Sequence, residues 1–167
     1  ENDSDLLSDV VEVSGLSVFD AYADTTAGFV GGNASCVNVV GLFDRVEMER
    51  VVADGARRSA SWAADGVCQA FVIARTSYSR GSREIILRNC TAKDARTSDV
   101  AYSNADGFAI FQNFTDGVSF VGEGLRSINN QGRGFKGQNG SAVPVLRDFY
   151  GYRDIQPAAG AGAGCLD

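Results

Sequence analysis

A six-residue pattern recurs along this chain and limits what it can fold into. Val13-Ser-Gly-Leu-Ser-Val18, Met48-Glu-Arg-Val-Val-Ala53, Leu87-Arg-Asn-Cys-Thr-Ala92, Leu125-Arg-Ser-Ile-Asn-Asn130 and Leu146-Arg-Asp-Phe-Tyr-Gly151 share the form apolar, polar, polar, apolar, polar, small. Their anchors lie 35, 39, 38 and 21 residues apart. The last interval reads as one unit and the earlier ones as nearly two, with Ala64-Asp-Gly-Val67 and Ala105-Asp-Gly-Phe108 opening units in between. A period of about 20 residues with small polar corners describes a solenoid, in which each strand pairs in parallel with its equivalent one coil away and like residues stack inside.

Helical periodicity is poor throughout, and short apolar alternations bounded by Gly, Asp, Asn and Ser dominate, so the chain reads as all-β. With 167 residues, 44% of them hydrophobic, it is long enough for one domain with a sizeable core. The expected layout is an acidic cap segment over residues 1–10, containing a short amphipathic helix, then a domain over residues 11–155 of about six to seven coils. A flexible Gly/Ala-rich tail follows over residues 156–167 and carries Cys165. An antiparallel sandwich is the alternative, because its short strands recur at similar spacing.

The stretches Ala105-Asp-Gly-Phe-Ala-Ile-Phe-Gln-Asn113, Gly117-Val-Ser-Phe-Val121 and Leu125-Arg-Ser-Ile-Asn-Asn-Gln-Gly-Arg-Gly-Phe135 resemble right-handed parallel β-helix proteins of the pectate-lyase-like superfamily. Polysaccharide lyases, glycoside hydrolases, phage tailspikes and many surface adhesins share that architecture. The resemblance implies a fold over roughly residues 10–155 and leaves activity open. Polygalacturonases of the group carry clustered Asp beside a His-bearing motif and an Arg-x-Lys motif, and neither is present here. Pectate lyases use calcium-binding Asp residues and an Arg base near a Pro-containing loop; the only Pro residues are Pro144 and Pro157, and no segment matches.

The absence of His removes Ser-His-Asp and Cys-His catalysis and His-ligated zinc. A formal charge of -6 argues against nucleic acid or an anionic membrane as the main partner. No apolar run approaches the roughly 18 residues of a spanning helix.

Compartment is read from Asn and Cys. Five of nine Asn open an Asn-x-Ser/Thr triplet, namely Asn2, Asn33, Asn89, Asn113 and Asn139, where the 21 Ser and Thr would give about one by chance. The excess points to an N-glycosylated, secreted chain, although Asn-rich turns also generate such triplets. Cys36, Cys68, Cys90 and Cys165 form an even set without Cys-x-x-Cys spacing, so two disulfides are expected in any of three pairings, against buried thiols in a reducing cell. The chain begins at Glu1 rather than Met, as expected of a processed protein or a piece of a longer one.

Candidate chemistry is sparse. Asp-Gly recurs at Asp54-Gly55, Asp65-Gly66, Asp106-Gly107 and Asp116-Gly117; turn chemistry accounts for it better than calcium binding or an acid and base pair. Asn104, Asn129 and Asn130 are expected at coil corners. Tyr150 and Tyr152 project to one face at period 2 and, with Trp62, are the candidate carbohydrate-binding residues. No catalytic residue, metal site or cofactor is assigned. The expected role is a structural or adhesive domain of an extracellular surface, cell wall or filament, with other surface proteins or polysaccharide as partners. A polysaccharide lyase or hydrolase using Asp and Arg, or a viral tailspike segment, are the alternatives.

Overall fold

A computed structural model describes residues 10–23, 34–41, 43–58, 68–74, 83–97, 105–111, 119–137 and 145–152. The chain passes repeatedly through four sheets in the same order. The first pass contains β1 (Val10–Ser14), β2 (Ser17–Phe19), β3 (Tyr22–Ala23) and β4 (Ala34–Val40). The second contains β5 (Arg45–Glu49), β6 (Val52–Asp54), β7 (Arg57–Arg58) and β8 (Cys68–Ala74). The third contains β9 (Glu84–Arg88), β10 (Thr91–Lys93), β11 (Arg96–Thr97) and β12 (Phe108–Phe111). The fourth contains β13 (Ser119–Glu123), β14 (Arg126–Ile128) and β15 (Phe135–Gly137), and the fifth β16 (Val145–Arg147) and β17 (Tyr150–Tyr152).

Every pairing is parallel. The first sheet runs β1-β5-β9-β13-β16, the second β2-β6-β10-β14-β17, the third β3-β7-β11 and the fourth β4-β8-β12-β15. This is an all-β fold of parallel sheets compatible with a β-solenoid, and it excludes the antiparallel sandwich for the described residues.

Three expectations change. Val10 pairs with Arg45, Arg45 with Glu84, Glu84 with Ser119 and Val121 with Val145, so the chain advances 35, 39, 35 and then 24 residues per pass. The described strands therefore make five passes instead of six to seven. The apolar runs at β8 and β12 belong to the fourth sheet of the same pass and are not separate coils. The fourth copy of the hexapeptide is Gly122-Glu-Gly-Leu-Arg-Ser127, because Gly122 pairs with Leu87 and Leu146; starting it at Leu125 shifts it by three. No helix occurs among the described residues. Of the cap segment expected over residues 1–10, residues 1–9 lie outside them, and Val10 opens β1 instead of ending a helix.

Corners carry the repeat. Between the first and second sheets the chain turns at Gly15, Arg50, Asn89, Gly124 and Asp148, all at φ between 52° and 66°. That left-handed region suits Gly and is tolerated by Asn and Asp. After the second sheet a second column turns at Asp20, Gly55, Asp94 and Asn129, also at positive φ. The interstrand ladder runs through both corners, as in Asn89 N to Glu123 O at 2.8 Å and Asn129 N to Tyr152 O at 2.7 Å.

Like residues stack inside. Val46, Ile85 and Phe120 form one buried column and Met48 and Leu87 another. Phe71, Phe108 and Phe135 are in register on the fourth sheet, with the Phe71 and Phe108 rings stacked at 4.9 Å. Ala53, Ala92 and Ser127 supply the small sixth position of the repeat and are fully buried.

Candidate functional site

The second sheet presents an outward face near the end of the described chain. β17 has the pattern Tyr150-Gly151-Tyr152, so both phenols leave the same side; their rings stack at 6.2 Å with 12° between planes. The pair is 53% and 44% exposed, a wide apolar surface with hydroxyl tips. Arg126 pairs with Tyr150 and Ile128 with Tyr152 across the parallel ladder, placing a guanidinium and an aliphatic chain beside the rings.

A groove of about 460 Å³ adjoins this platform, lined by Asn89, Gly124, Arg126, Ile128, Asp148 and Tyr150. Its origin is the corner column. Asn89, Gly124 and Asp148 occupy equivalent corners of three successive passes, and the middle one has no side chain. A Cβ on Gly124 would stand 2.5 Å from Asn89 Oδ1, so the bare backbone makes room for the Asn89 side chain to lie along the groove. The volume lies in the range of small-ligand sites, ~300–1,000 Å³.

A second polar cluster is internal. Asp106 is fully buried at the entry to β12; Oδ1 accepts from Arg133 N at 3.0 Å and Oδ2 from Gln69 Nε2 at 3.3 Å. Arg133 Nη1 and Lys136 Nζ stand 3.6 and 3.9 Å from its oxygens. Burial pushes the Asp106 carboxyl above its ordinary value, against the opposing pull of the Arg133 amide, Lys136, Gln69 and the Arg133 charge. The adjoining Gly107 is a close-packing position, where a Cβ would meet Ser127 Oγ at 2.6 Å and Gly134 O at 2.7 Å. Of the Asp-Gly pairs, Asp54-Gly55 is turn chemistry, with Gly55 at φ 80° and Asp54 bonded to Lys93 at 2.7 Å. Asp65-Gly66 and Asp116-Gly117 lie outside the described residues.

The thiols behave differently from expectation. No disulfide joins Cys36, Cys68 and Cys90 to one another. Cys68 Sγ donates to Ala56 O at 2.8 Å, and Cys90 Sγ to Arg88 O at 3.4 Å. Cys68 and Cys90 sit in the stacked interior as small apolar side chains, and the bridges expected among Cys36, Cys68 and Cys90 are not seen. Cys165 lies outside the described residues, as do Asn2, Asn33, Asn113, Asn139, Trp62 and Asn104. Asn89 is exposed at its corner. Asn129 takes the predicted left-handed corner, whereas Asn130 turns inward and is fully buried.

The Tyr pair was visible from its alternation. The groove was not, since Asn89, Gly124 and Asp148 meet only through the register of three passes, and no local spacing announces it. No group of metal-ligating side chains is present among the described residues, and none of them forms a helix long and apolar enough to cross a membrane. No protein-family model, curated protein or solved structure matches the chain.

Proposed function

We propose that this chain is a right-handed parallel β-helix serving as a structural or adhesive domain of a secreted glycoprotein, with a carbohydrate-binding face on its second sheet. The handedness follows the near-universal right-handed crossover between parallel strands. The observation that carries the binding role is the stacked Tyr150 and Tyr152 pair beside the 460 Å³ groove. Sugar C–H faces pack on such rings, while Arg126 and Asp148 offer donors and acceptors to hydroxyls.

The assembly role has its own support. Among the described residues, every exposed large hydrophobic side chain lies in the first or the last pass: Val10, Leu16, Phe19, Tyr22 and Val40 at one end, and Val145, Tyr150 and Tyr152 at the other. Apolar surface concentrated at the ends of a stack of open parallel sheets suits partners that continue or cap it. Secretion rests on the five glycan triplets.

Intact-mass measurement before and after glycosidase treatment tests the compartment; an unchanged mass overturns it. Affinity electrophoresis through neutral and acidic polysaccharide gels tests the face. Retardation lost in Tyr152→Ala supports it, and equal mobility in every gel refutes it.

A further inference from the structure

We propose that the first N-acetylglucosamine of a glycan carried on Asn89 occupies the groove, seated over Gly124 against the Tyr150 ring. The inference rests on the glycoprotein reading above and names the sugar that the face holds. Asn89-Cys90-Thr91 is one of the five triplets, and its acceptor is itself a wall of the groove. Attachment forms a bond from Asn89 Nδ2 to C1 of the sugar. The donor is a lipid-linked oligosaccharide, whose pyrophosphate leaves with the electron pair of the broken C1–O bond while Nδ2 gives up one proton; no atom changes oxidation state.

The neighbouring corner decides where that sugar lies. In the next pass Gly124 has no side chain, so the Asn89 carboxamide lies across its bare backbone and the linkage starts on the floor of the groove. Further along, Tyr150 and Ile128 offer an apolar wall, Arg126 donors, and Asp148 acceptors. These match a pyranose with one apolar face, an acetamido group and free hydroxyls. The tether matters as much as the wall. A covalently attached ligand experiences an effective concentration in the millimolar range, so stacking too weak to hold a free monosaccharide suffices for an attached one.

The test uses the full chain expressed in an N-glycosylating host and trimmed by an endoglycosidase to one N-acetylglucosamine per occupied site. Glycopeptide mapping establishes occupancy, and Asn89→Gln assigns the Asn89 sugar in the NMR spectrum by deleting its signals. The expected result is an upfield ring-current shift of that sugar's ring protons, lost in Tyr150→Ala and kept in Tyr150→Phe. Gly124→Ala, which fills the floor, is expected to remove the shift while Tyr150 remains. An occupied Asn89 whose sugar shows no such shift overturns the inference and leaves the glycoprotein reading intact. An empty Asn89 beside other occupied sites does the same. A chain without sugar at any Asn overturns both.

Discussion

Asn130 Oδ1 accepts a hydrogen bond from the Ala95 amide at 3.0 Å, joining the interior of the fourth pass to that of the third. Its Nδ2 donates to Ala92 O at 3.2 Å and to Ser127 Oγ at 2.8 Å, so a fully buried amide serves three interior partners across two passes. Asn130→Ala strands these partners away from water. It is expected to lower stability by about 1–3 kcal/mol, the cost of leaving buried polar groups unpaired. Urea denaturation reads this as a lower midpoint at unchanged slope.

Gly107→Ala places a methyl against backbone that cannot step aside. The Gly134 carbonyl would lie 2.7 Å from the new Cβ, and Asn130 Nδ2 2.9 Å away. A loss of about 1–3 kcal/mol is expected from overpacking. Gly15→Ala is the informative control, since nothing stands within 4 Å of its added Cβ and only its positive φ of 66° is disturbed. Thermal melts of the two variants separate contact from backbone strain, with the larger drop expected in Gly107→Ala.

Asp106 gives the protein a pH dependence of unusual sign for a carboxylate. Because burial raises its folded pKa above the unfolded value of 3.8, the folded state holds the proton more tightly. Stability from this group is fully present below the unfolded pKa and declines as pH rises through the folded one. Asp106→Asn cannot ionise, so its stability relative to wild type is expected to increase from pH 4 to pH 7. Paired denaturation curves across that range check the direction, and a constant difference contradicts it. The groups facing Asp106 among the described residues are Gln69, Arg133 and Lys136.

The thiols are expected to resist alkylation. Burial pushes Cys90 and Cys36 above the ordinary thiol value, which reduces the reactive thiolate at neutral pH. In the native protein, iodoacetamide should label Cys36, the partly exposed one, faster than Cys90 or Cys68, and all three should react promptly in denaturant. Peptide mapping after timed labelling gives the order.

Phe108→Ala removes the middle ring of the Phe71, Phe108 and Phe135 column, and a loss of about 3–5 kcal/mol is expected. Calorimetry measures it.

Much of the fold was legible because a solenoid writes its geometry into sequence as recurrence. Four of the five hexapeptides fall in register, and their third residues are the left-handed corners. The slip at Leu125 has a physical cause. Gly122 stands at the anchor where the other passes have Val13, Met48, Leu87 and Leu146, because Leu125 Cδ1 and Leu146 Cδ2 approach within 2.7 and 2.8 Å of where its Cβ would be. Neighbouring side chains had moved into a vacancy that a pattern of residue types does not record. The halved period has a different origin: apolar runs at β8 and β12 resemble those of the first sheet in composition but pair only within the fourth. Trp62 and the acceptor Asn of four of the five glycan triplets lie outside the described residues, so the structure places neither.

The unequal length of the passes has one more consequence. In the third pass Phe108 follows Lys93 by 15 positions, with a strand of the third sheet in between, whereas in the fourth Phe135 follows Ile128 by seven. Contour length per turn falls from 35 residues to 24 at the last described step. The stack is thus polar, with levels that are not interchangeable modules. Lengthening it by duplication should succeed between the 35- and 39-residue turns, where neighbours share all four sheets. Beside the 24-residue turn, a long copy would meet a shorter circuit.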